Sequence, residues 1–338
     1  MKKALVTGGT GYIGSWLVKY LLEDGVDVRI TVRNVDQRKK YAFLSEIAAK
    51  SKADFEVYQA DLLEIGSFDA AMDGIDTVFH VASPFTLKIK DPQKELIEPA
   101  LKGTENVLTA VNKSSTVKRV VLTSSVAAIH GDNIDMAEKG ITKFNETHWN
   151  SSSSLQHQPY SYSKTIAEQK AWEIANSQKS WKLAVINPSL VIGPALNGAT
   201  NSGSFDVIKD LLSGKMRTGA PDLMFGFVDV RDVAKAHILA AKNPEIEGRY
   251  LLVERTMNML ELSKTIATQF PGKYKLPKTK APKMLLKLIG GMFGVTPKFV
   301  TRNVGYKIAF DNSRSLNTLK LKYTNIQQSI KEMVESLQ

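Results

Sequence analysis

Apolar positions along the chain fall into two alternating patterns. Ala4-Leu5-Val6, Val26 to Arg33, Phe55 to Ala60, Asp76 to Val81 and Lys118 to Thr123 are short, apolar or alternating, and read as strands. Between them, apolar residues recur at helical spacing in Ser15 to Leu22, around Ile65 to Met72, and from Pro92 to Asn112. Asp24-Gly25 breaks the first helical pattern before the second strand begins. The strand from Asp76 stops at Ala82-Ser83-Pro84, small residues and a proline that let a ligand approach the backbone. Strand and helix in regular alternation predict an α/β fold with a parallel, doubly wound sheet.

Beyond Ser125 the regularity fades. Residues Ala128 to Gln158 are polar, rich in Asn and Ser, and without a clear period. A loop of that length inside a compact domain usually carries function. It ends at Pro159-Tyr160, where a helix begins with Ile166, Ala167, Trp172 and Ile174 on its apolar side and Glu168 and Lys170 outside. Trp181 to Ile186 is a strand, Gly203 to Leu212 a helix, and Phe227 to Asp232 starts another helix that runs through Ala241. Tyr250 to Val253 is a late strand. The expected division is a main domain over 1–190, with a returning segment near 225–255, and a smaller lobe formed mostly by 191–338.

The first strand runs into Thr7-Gly8-Gly9-Thr10-Gly11-Tyr12-Ile13-Gly14, so Gly8, Gly11 and Gly14 give G-x-x-G-x-x-G between a strand and a helix. A dinucleotide site needs glycines there: one for the tight turn, one to admit a pyrophosphate, one for close helix packing. Free N–H groups and the positive end of the helix dipole then face the phosphates. In such a Rossmann-type unit the second strand ends beside the adenosine ribose, where an acid favours NAD and a cation favours the 2′-phosphate of NADP. Here that strand ends in Arg33, with Arg38, Lys39 and Lys40 following, while Asp36 comes three residues too late. NADP(H) is therefore the expected cofactor. Asp61-Leu62, at the tip of the third strand, could line an adenine. His80, in an apolar strand, reads as a satisfied core histidine.

Composition narrows the setting. The chain of 338 residues is 43% apolar and 23% charged, enough for a full core. With no cysteine it has neither disulfides nor thiolate chemistry, which suits a reducing compartment. No apolar leader precedes the first strand, so a cytoplasmic protein is expected, and the Asn112, Asn145 and Asn150 glycosylation patterns read as chance. The apolar stretch Met284 to Val295 contains Lys287 and is too short to cross a bilayer. A net charge of +11 is spread along the chain, with denser patches at Arg33 to Lys40 and Lys273 to Lys287. It fits a basic enzyme with a phosphate-bearing cofactor better than a nucleic-acid binder. No metal site is expected.

Tyr160 and Lys164 stand four residues apart at a helix start and so share one face. A phenol with an ordinary pKa of about 10 is a poor acid at neutral pH, and a neighbouring ammonium is expected to bring it down. Tyr274 and Lys278 repeat the spacing, but Pro277 makes that copy a poor helix and it follows no sheet strand. Ser125 lies at the carboxyl end of the strand from Arg119, where ligands of open α/β sheets bind. Its hydroxyl could hold a carbonyl while Tyr160 delivers a proton, with Ser124 and Thr123 as rivals.

The glycine loop, the Ser125, Tyr160 and Lys164 set, and Asn187-Pro188 with Gly193-Pro194 together resemble an extended short-chain dehydrogenase/reductase. Val81-Ala82-Ser83-Pro84-Phe85, Leu122-Thr123-Ser124-Ser125 and Phe227 to His237 make it similar to the dihydroflavonol reductase, cinnamoyl-CoA reductase and yeast methylglyoxal reductase group. The resemblance implies NADPH and a small carbonyl substrate. Ser125 would polarise the carbonyl, Tyr160 would act as acid, and Lys164 would hold the ribose and tune Tyr160. It places Gly8 to Ile13 on the pyrophosphate, Arg33 and Lys40 on the 2′-phosphate, and Asp61 and Leu62 on the adenine. Val81, Pro188, Val191 and Ser204 match further cofactor contacts, and the smaller lobe would bind substrate. One departure stands out: where many members carry Asn-Val-x-Gly-Thr, this chain reads Ala100-Leu101-Lys102-Gly103-Thr104, so a proton relay through that asparagine is lacking and water would serve. A nucleotide-sugar epimerase or dehydratase would share fold and triad, but the cation at Arg33 disfavours NAD. A redox-sensing NADP-binding regulator would not need an acid. Neither nucleic acid nor membrane is an expected partner, and the expected state is a monomer or homodimer.

Overall fold

A computed structural model describes residues 1–83, 90–198, 202–293 and 295–338. Six strands follow in order: β1 (Lys3–Thr7), β2 (Asp27–Val32), β3 (Phe55–Gln59), β4 (Thr77–His80), β5 (Arg119–Thr123) and β6 (Lys182–Pro188). The chain then steps out into β7 (Leu190–Ile192) and β8 (Met224–Asp229), returns as β9 (Gly248–Leu252), and leaves again as β10 (Arg255–Asn258). The main sheet is wholly parallel with order β3-β2-β1-β4-β5-β6-β9, and a small sheet runs β10-β8-β7. Strand order reverses between β1 and β4, which opens a crevice at the carboxyl ends of these strands. Proline 84 and phenylalanine 85, part of the sequence motif after β4, lie outside the described residues.

Among the described residues seven α-helices accompany the sheets up to β9: α1 (Tyr12–Glu23), α2 (Ala42–Ala48), α3 (Glu98–Lys113), α4 (Asp135–Glu138), α5 (Pro159–Asn176), α6 (Gly203–Leu212) and α7 (Val230–Lys242). After β10 come α8 (Met259–Gln269), α9 (Lys283–Ile289), α10 (Pro297–Asn303), α11 (Ser313–Asn317) and α12 (Ile326–Glu335). Side chains alternate across the sheet, so Ala4, Val6, Val28 and Ile30 meet Leu17, Leu21 and Val233 from α1 and α7. Leu5, Val78, Val120 and Val185 meet Val107, Val111 and Ala171 from α3 and α5 on the other face. Both faces are covered, which is why the strands are apolar throughout.

Three segments differ from the sequence expectation. The helix expected around Ile65 to Met72 is reduced to a 3-10 turn at Ala70–Met72. Gly66 at φ +79° interrupts any helix there, and the Asn106 amide bonds the Glu64 carbonyl at 2.5 Å in its place. Phe227 to Asp229 belong to β8 instead of a helix, because β10 and β7 pair with them on either side. The helix starts only at Val230, with Asp229 as cap accepting Arg231 N–H at 2.7 Å. Glu168 is the third case: it is 1% exposed, not outside, and the buried residues of α5 are Ser163, Thr165, Glu168 and Ala171. The helical period was present, but polar partners decided which face turned inward.

Among the described residues no helix is long and apolar enough to cross a membrane.

Candidate active site

The glycine loop is built by contacts that only a hydrogen side chain allows. Gly8 sits at φ +69°, and a Cβ there would come within 2.9 Å of the Ala82 backbone. A Cβ on Gly14 would meet the Gly8 carbonyl oxygen at 2.2 Å, so α1 packs directly on the turn it follows. Gly8 accepts a bond from Gly11 N–H at 2.9 Å, closing the turn. Gly11 caps α1 without a side chain, which leaves the first N–H groups of the helix, at Tyr12 and Ile13, open to an anion. These features fit a pyrophosphate. The Tyr12 ring itself is buried and donates to the Gly193 carbonyl at 2.6 Å, so Tyr12 can offer a phosphate only its backbone.

Arg33 directly follows β2 and is exposed, as are Arg38, Lys39 and Lys40 in the short 3-10 turn Arg38–Lys40. Arg33 makes no ion pair with a described residue, so the group is available to a phosphate. Asp61 caps its own turn by accepting Leu63 N–H at 2.9 Å, and Leu62 lies 3.2 Å from where a Cβ on Gly103 would be. Pro188 closes β6, Val191 sits in β7 and Ser204 in the first turn of α6, all buried, while Val81 follows β4 and is half-buried.

Ser125, Tyr160 and Lys164 come together at the carboxyl ends of β5 and β6. Ser125 begins a 3-10 turn, its Oγ accepting Ala127 N–H at 3.1 Å, and it also bonds with the Tyr160 hydroxyl. Its rivals are occupied elsewhere. Thr123 Oγ1 pairs with His237 Nε2 at 2.6 Å, and Ser124 Oγ donates to the buried Glu168 carboxylate at 2.5 Å. Lys164 Nζ donates to Ser83 Oγ at 2.7 Å and stands 5.7 Å from the Tyr160 ring centroid. Tyr274 and Lys278, the second copy of the spacing, lie in a non-helical segment, with Tyr274 packed edge-on against Phe270.

The electrostatics depart from the expectation that an ammonium brings the phenol down. Burial pushes Tyr160 up to about 12, and the group that draws it down is the Ser125 hydroxyl. Lys164 is itself lowered by burial to about 8, with Glu168 pulling it back up. Two groups desolvated together each resist charge, and at this separation desolvation outweighs their mutual effect. His80 is buried and bonded to Thr7 Oγ1 at 2.8 Å, a core histidine held neutral by burial at about 4.

Two clefts flank this group. One is lined by Leu62, Ser83, Thr104, Ser124 and Lys164, between α3 and α5. The other is more apolar, with Val126, His130, Leu190, Phe225, Phe299 and Phe310 along its walls. Val126, the chain neighbour of Ser125, and Gln158, two residues before Tyr160, both line this second cleft. His130 meets Phe144 and Phe310 edge-on at 5.1 and 5.4 Å, and burial lowers its pKa. Neither His130 nor the Glu168 network was legible as sequence: both are single polar residues whose partners lie far along the chain.

Comparison with known proteins bears on this arrangement. Residues 4–252 match the NAD dependent epimerase/dehydratase family. Cinnamoyl-CoA reductase CAD2 of Medicago truncatula is 37% identical over 335 residues, covering 98% of this chain and 94% of that protein. Dihydroflavonol 4-reductase of Gerbera hybrida is 34% identical over 282 residues, 82% of this chain and 74% of its own length. The crystal structure of yeast methylglyoxal/isovaleraldehyde reductase Gre2 complexed with NADPH has a TM-score of 0.80 at 28% identity, covering 99% of this chain and 98% of that one.

Proposed function

Because the chain belongs to the NAD-dependent epimerase/dehydratase family, as an oxidoreductase of the extended short-chain dehydrogenase/reductase type, we propose that it is an NADPH-dependent carbonyl reductase converting an aldehyde or ketone to an alcohol. The observation that carries this reading is the meeting of the Ser125 and Tyr160 hydroxyls beside Lys164, with Val126, the residue after Ser125, lining an apolar cleft. The three relatives described above are reductases, which supports it. The NADPH bound by the relative of known structure supports the cofactor choice together with exposed Arg33 and Lys40.

NADPH, when bound, supplies a hydride for the carbonyl carbon. The chain's own residues manage the oxygen. Ser125 donates a hydrogen bond to it, which stabilises the negative charge that develops there. Tyr160, protonated at neutral pH, transfers its phenolic proton to that oxygen, forming the alcohol O–H. Lys164, on the same helix face, binds the ribose and offsets the phenolate left behind. The glycine loop and the open N–H groups of α1 take the pyrophosphate, Arg33 and Lys40 the 2′-phosphate, and Asp61 and Leu62 the adenine. Val81, Pro188, Val191 and Ser204 complete the cofactor wall. In this reading residues 1–190, with the segment near 225–255, hold the cofactor, and most of 191–338 shapes the substrate side.

NADPH oxidation against a panel of aldehydes, ketones, dihydroflavonols and acyl-CoA thioesters tests the proposal. Turnover with at least one carbonyl class is expected. Absence of oxidation with all of them, alongside epimerisation of a nucleotide sugar, would overturn it.

A further inference from the structure

A buried polar cluster stands behind the amino end of α5. Asp132 is 0% exposed, and its carboxylate gathers donors from two distant stretches of chain. Gln158 Nε2 reaches Oδ1 at 2.7 Å and Asn303 Nδ2 reaches the same oxygen at 2.6 Å. Arg302 Nε donates to Oδ2 at 2.5 Å, and His157 Nε2 lies 2.9 and 3.0 Å from the two oxygens and so carries its proton there. Burial alone pushes this carboxyl up, but the bonds from Arg302, Asn303 and His157 outweigh it and hold its pKa below the ordinary value.

Gln158 is the residue before α5, and its backbone is left-handed at φ 56° and ψ 56°. That conformation is unfavourable for a side chain other than glycine, and persists only where the surroundings impose it. Its carbonyl accepts Tyr162 N–H at 3.0 Å, so the orientation of this one peptide sets the first turn of the helix. Tyr160 sits in that turn, just after Pro159, which has no N–H to anchor the turn by another route.

We infer that Asp132 is a positioning residue for Tyr160: by gripping the Gln158 amide it holds the left-handed backbone that aims the first turn of α5. Because Arg302 and Asn303 belong to α10, the same carboxylate ties that turn to the helices beyond β10. The inference rests on the reading of Tyr160 as the acid.

The test uses the full chain and contrasts two substitutions at one position. Gln158→Ala removes the amide while keeping a residue that disfavours the left-handed backbone, so kcat is expected to fall about tenfold. Gln158→Gly removes the same amide but adopts that backbone freely, so kcat should exceed that of Gln158→Ala by at least about threefold. NADPH affinity, measured by direct titration, should stay within about twofold in both, since the glycine loop and Arg33 are untouched. Asp132→Asn should lower kcat at least as much as Gln158→Ala, and adding Gln158→Gly to it should recover part of the loss. Should Asp132→Asn fail to fold, the Gln158 pair decides alone. Parent-level kcat in Gln158→Ala, or equal impairment in the alanine and glycine variants, would overturn the inference. Tyr160→Phe run in parallel separates the two readings: full turnover there would sink the acid assignment, whereas an inactive Tyr160→Phe beside an unimpaired Gln158→Ala sinks only the positioning role.

Discussion

Glu168 lies one helical turn beyond Lys164 and receives Arg249 Nε at 2.6 Å, an ion pair in which the carboxylate side chain is 0% exposed and the guanidinium 7%. The same carboxylate accepts from Ser124 and Asn187, while Arg249 also reaches the His148 carbonyl and stacks on Trp149 at 3.9 Å. Helix α5, strand β9 and the long polar loop are thereby fixed to one another directly beneath Ser125 and Lys164.

Breaking this pair leaves an uncompensated buried charge. Glu168→Ala is expected to lower unfolding stability by about 3–5 kcal/mol, the usual range when one partner of a buried pair is removed. Glu168→Gln, which keeps the shape and one of the two acceptor oxygens, should lose less. Urea unfolding checks both, and a Glu168→Ala protein within about 1 kcal/mol of the parent would contradict the role given to the pair.

Tyr160→Phe should lower turnover by about 10²–10⁴-fold, the range that general acid catalysis contributes, with NADPH binding retained. Ser125→Ala should lower turnover more than Ser124→Ala, since only Ser125 meets the phenol. Tyr274→Phe should leave turnover unchanged. Steady-state kinetics with folding checked by circular dichroism decides, and a folded Tyr160→Phe enzyme near full activity would eliminate the mechanism.

The rate should depend on the charge of Lys164, lowered to about 8 by burial against the pull of Glu168. Its ammonium is present below that pH and is lost above it, while Tyr160 at about 12 stays protonated throughout. A level kcat/KM at neutral pH and a decline above about 8 are therefore expected in the pH–rate profile. Lys164→Arg, where any activity survives, should move the decline upward because guanidinium does not deprotonate. A flat profile in the parent well above pH 9 would rule out this dependence.

Cofactor preference follows from Arg33. A charge-assisted bond to a phosphate is worth about 1.5–3 kcal/mol, or roughly one to two decades in affinity. NADPH should be preferred over NADH by at least about tenfold, and Arg33→Ala should narrow the gap. Equal Michaelis constants and turnover for the two cofactors in the parent would exclude the assignment.

Acid should destabilise the fold through buried histidines, His80 and His237 among them. Burial lowers His80 to about 4, assisted by Lys164, and His237 also to about 4. Between the ordinary value of about 6.5 and about 4 the unfolded chain takes up protons that the folded one refuses. Their contribution is therefore complete above about 6.5 and is lost as pH falls toward 4, up to roughly 3.5 kcal/mol each at about 1.4 kcal/mol per pKa unit. Denaturation midpoints at pH 7, 6 and 5 should fall in step, and a constant midpoint would contradict the burial argument.

The sequence by itself determined what depends on local chemistry. Apolar strand runs can only be buried on both faces, so alternation with helices dictated the doubly wound parallel sheet. Gly8 and Gly14 were recognisable because the turn they form admits no Cβ. Tyr160 and Lys164 were recognisable because helical spacing puts them on one face at the start of a helix, whereas the copy at Tyr274 and Lys278 is interrupted by Pro277. The tertiary structure decided what depends on partners far along the chain. Glu168 reads as a surface residue until Arg249 and Asn187 arrive from β9 and β6, and Phe227 reads as helical until β7 and β10 pair with its backbone. Ser125, Ser124 and Thr123 were equivalent as neighbours in sequence; His237, Glu168 and Tyr160 each claimed one. Asp132 had no signal at all, since its donors lie 25 to 171 residues away. A buried charge takes its meaning from the groups that solvate it, and those are assembled only when the chain has folded.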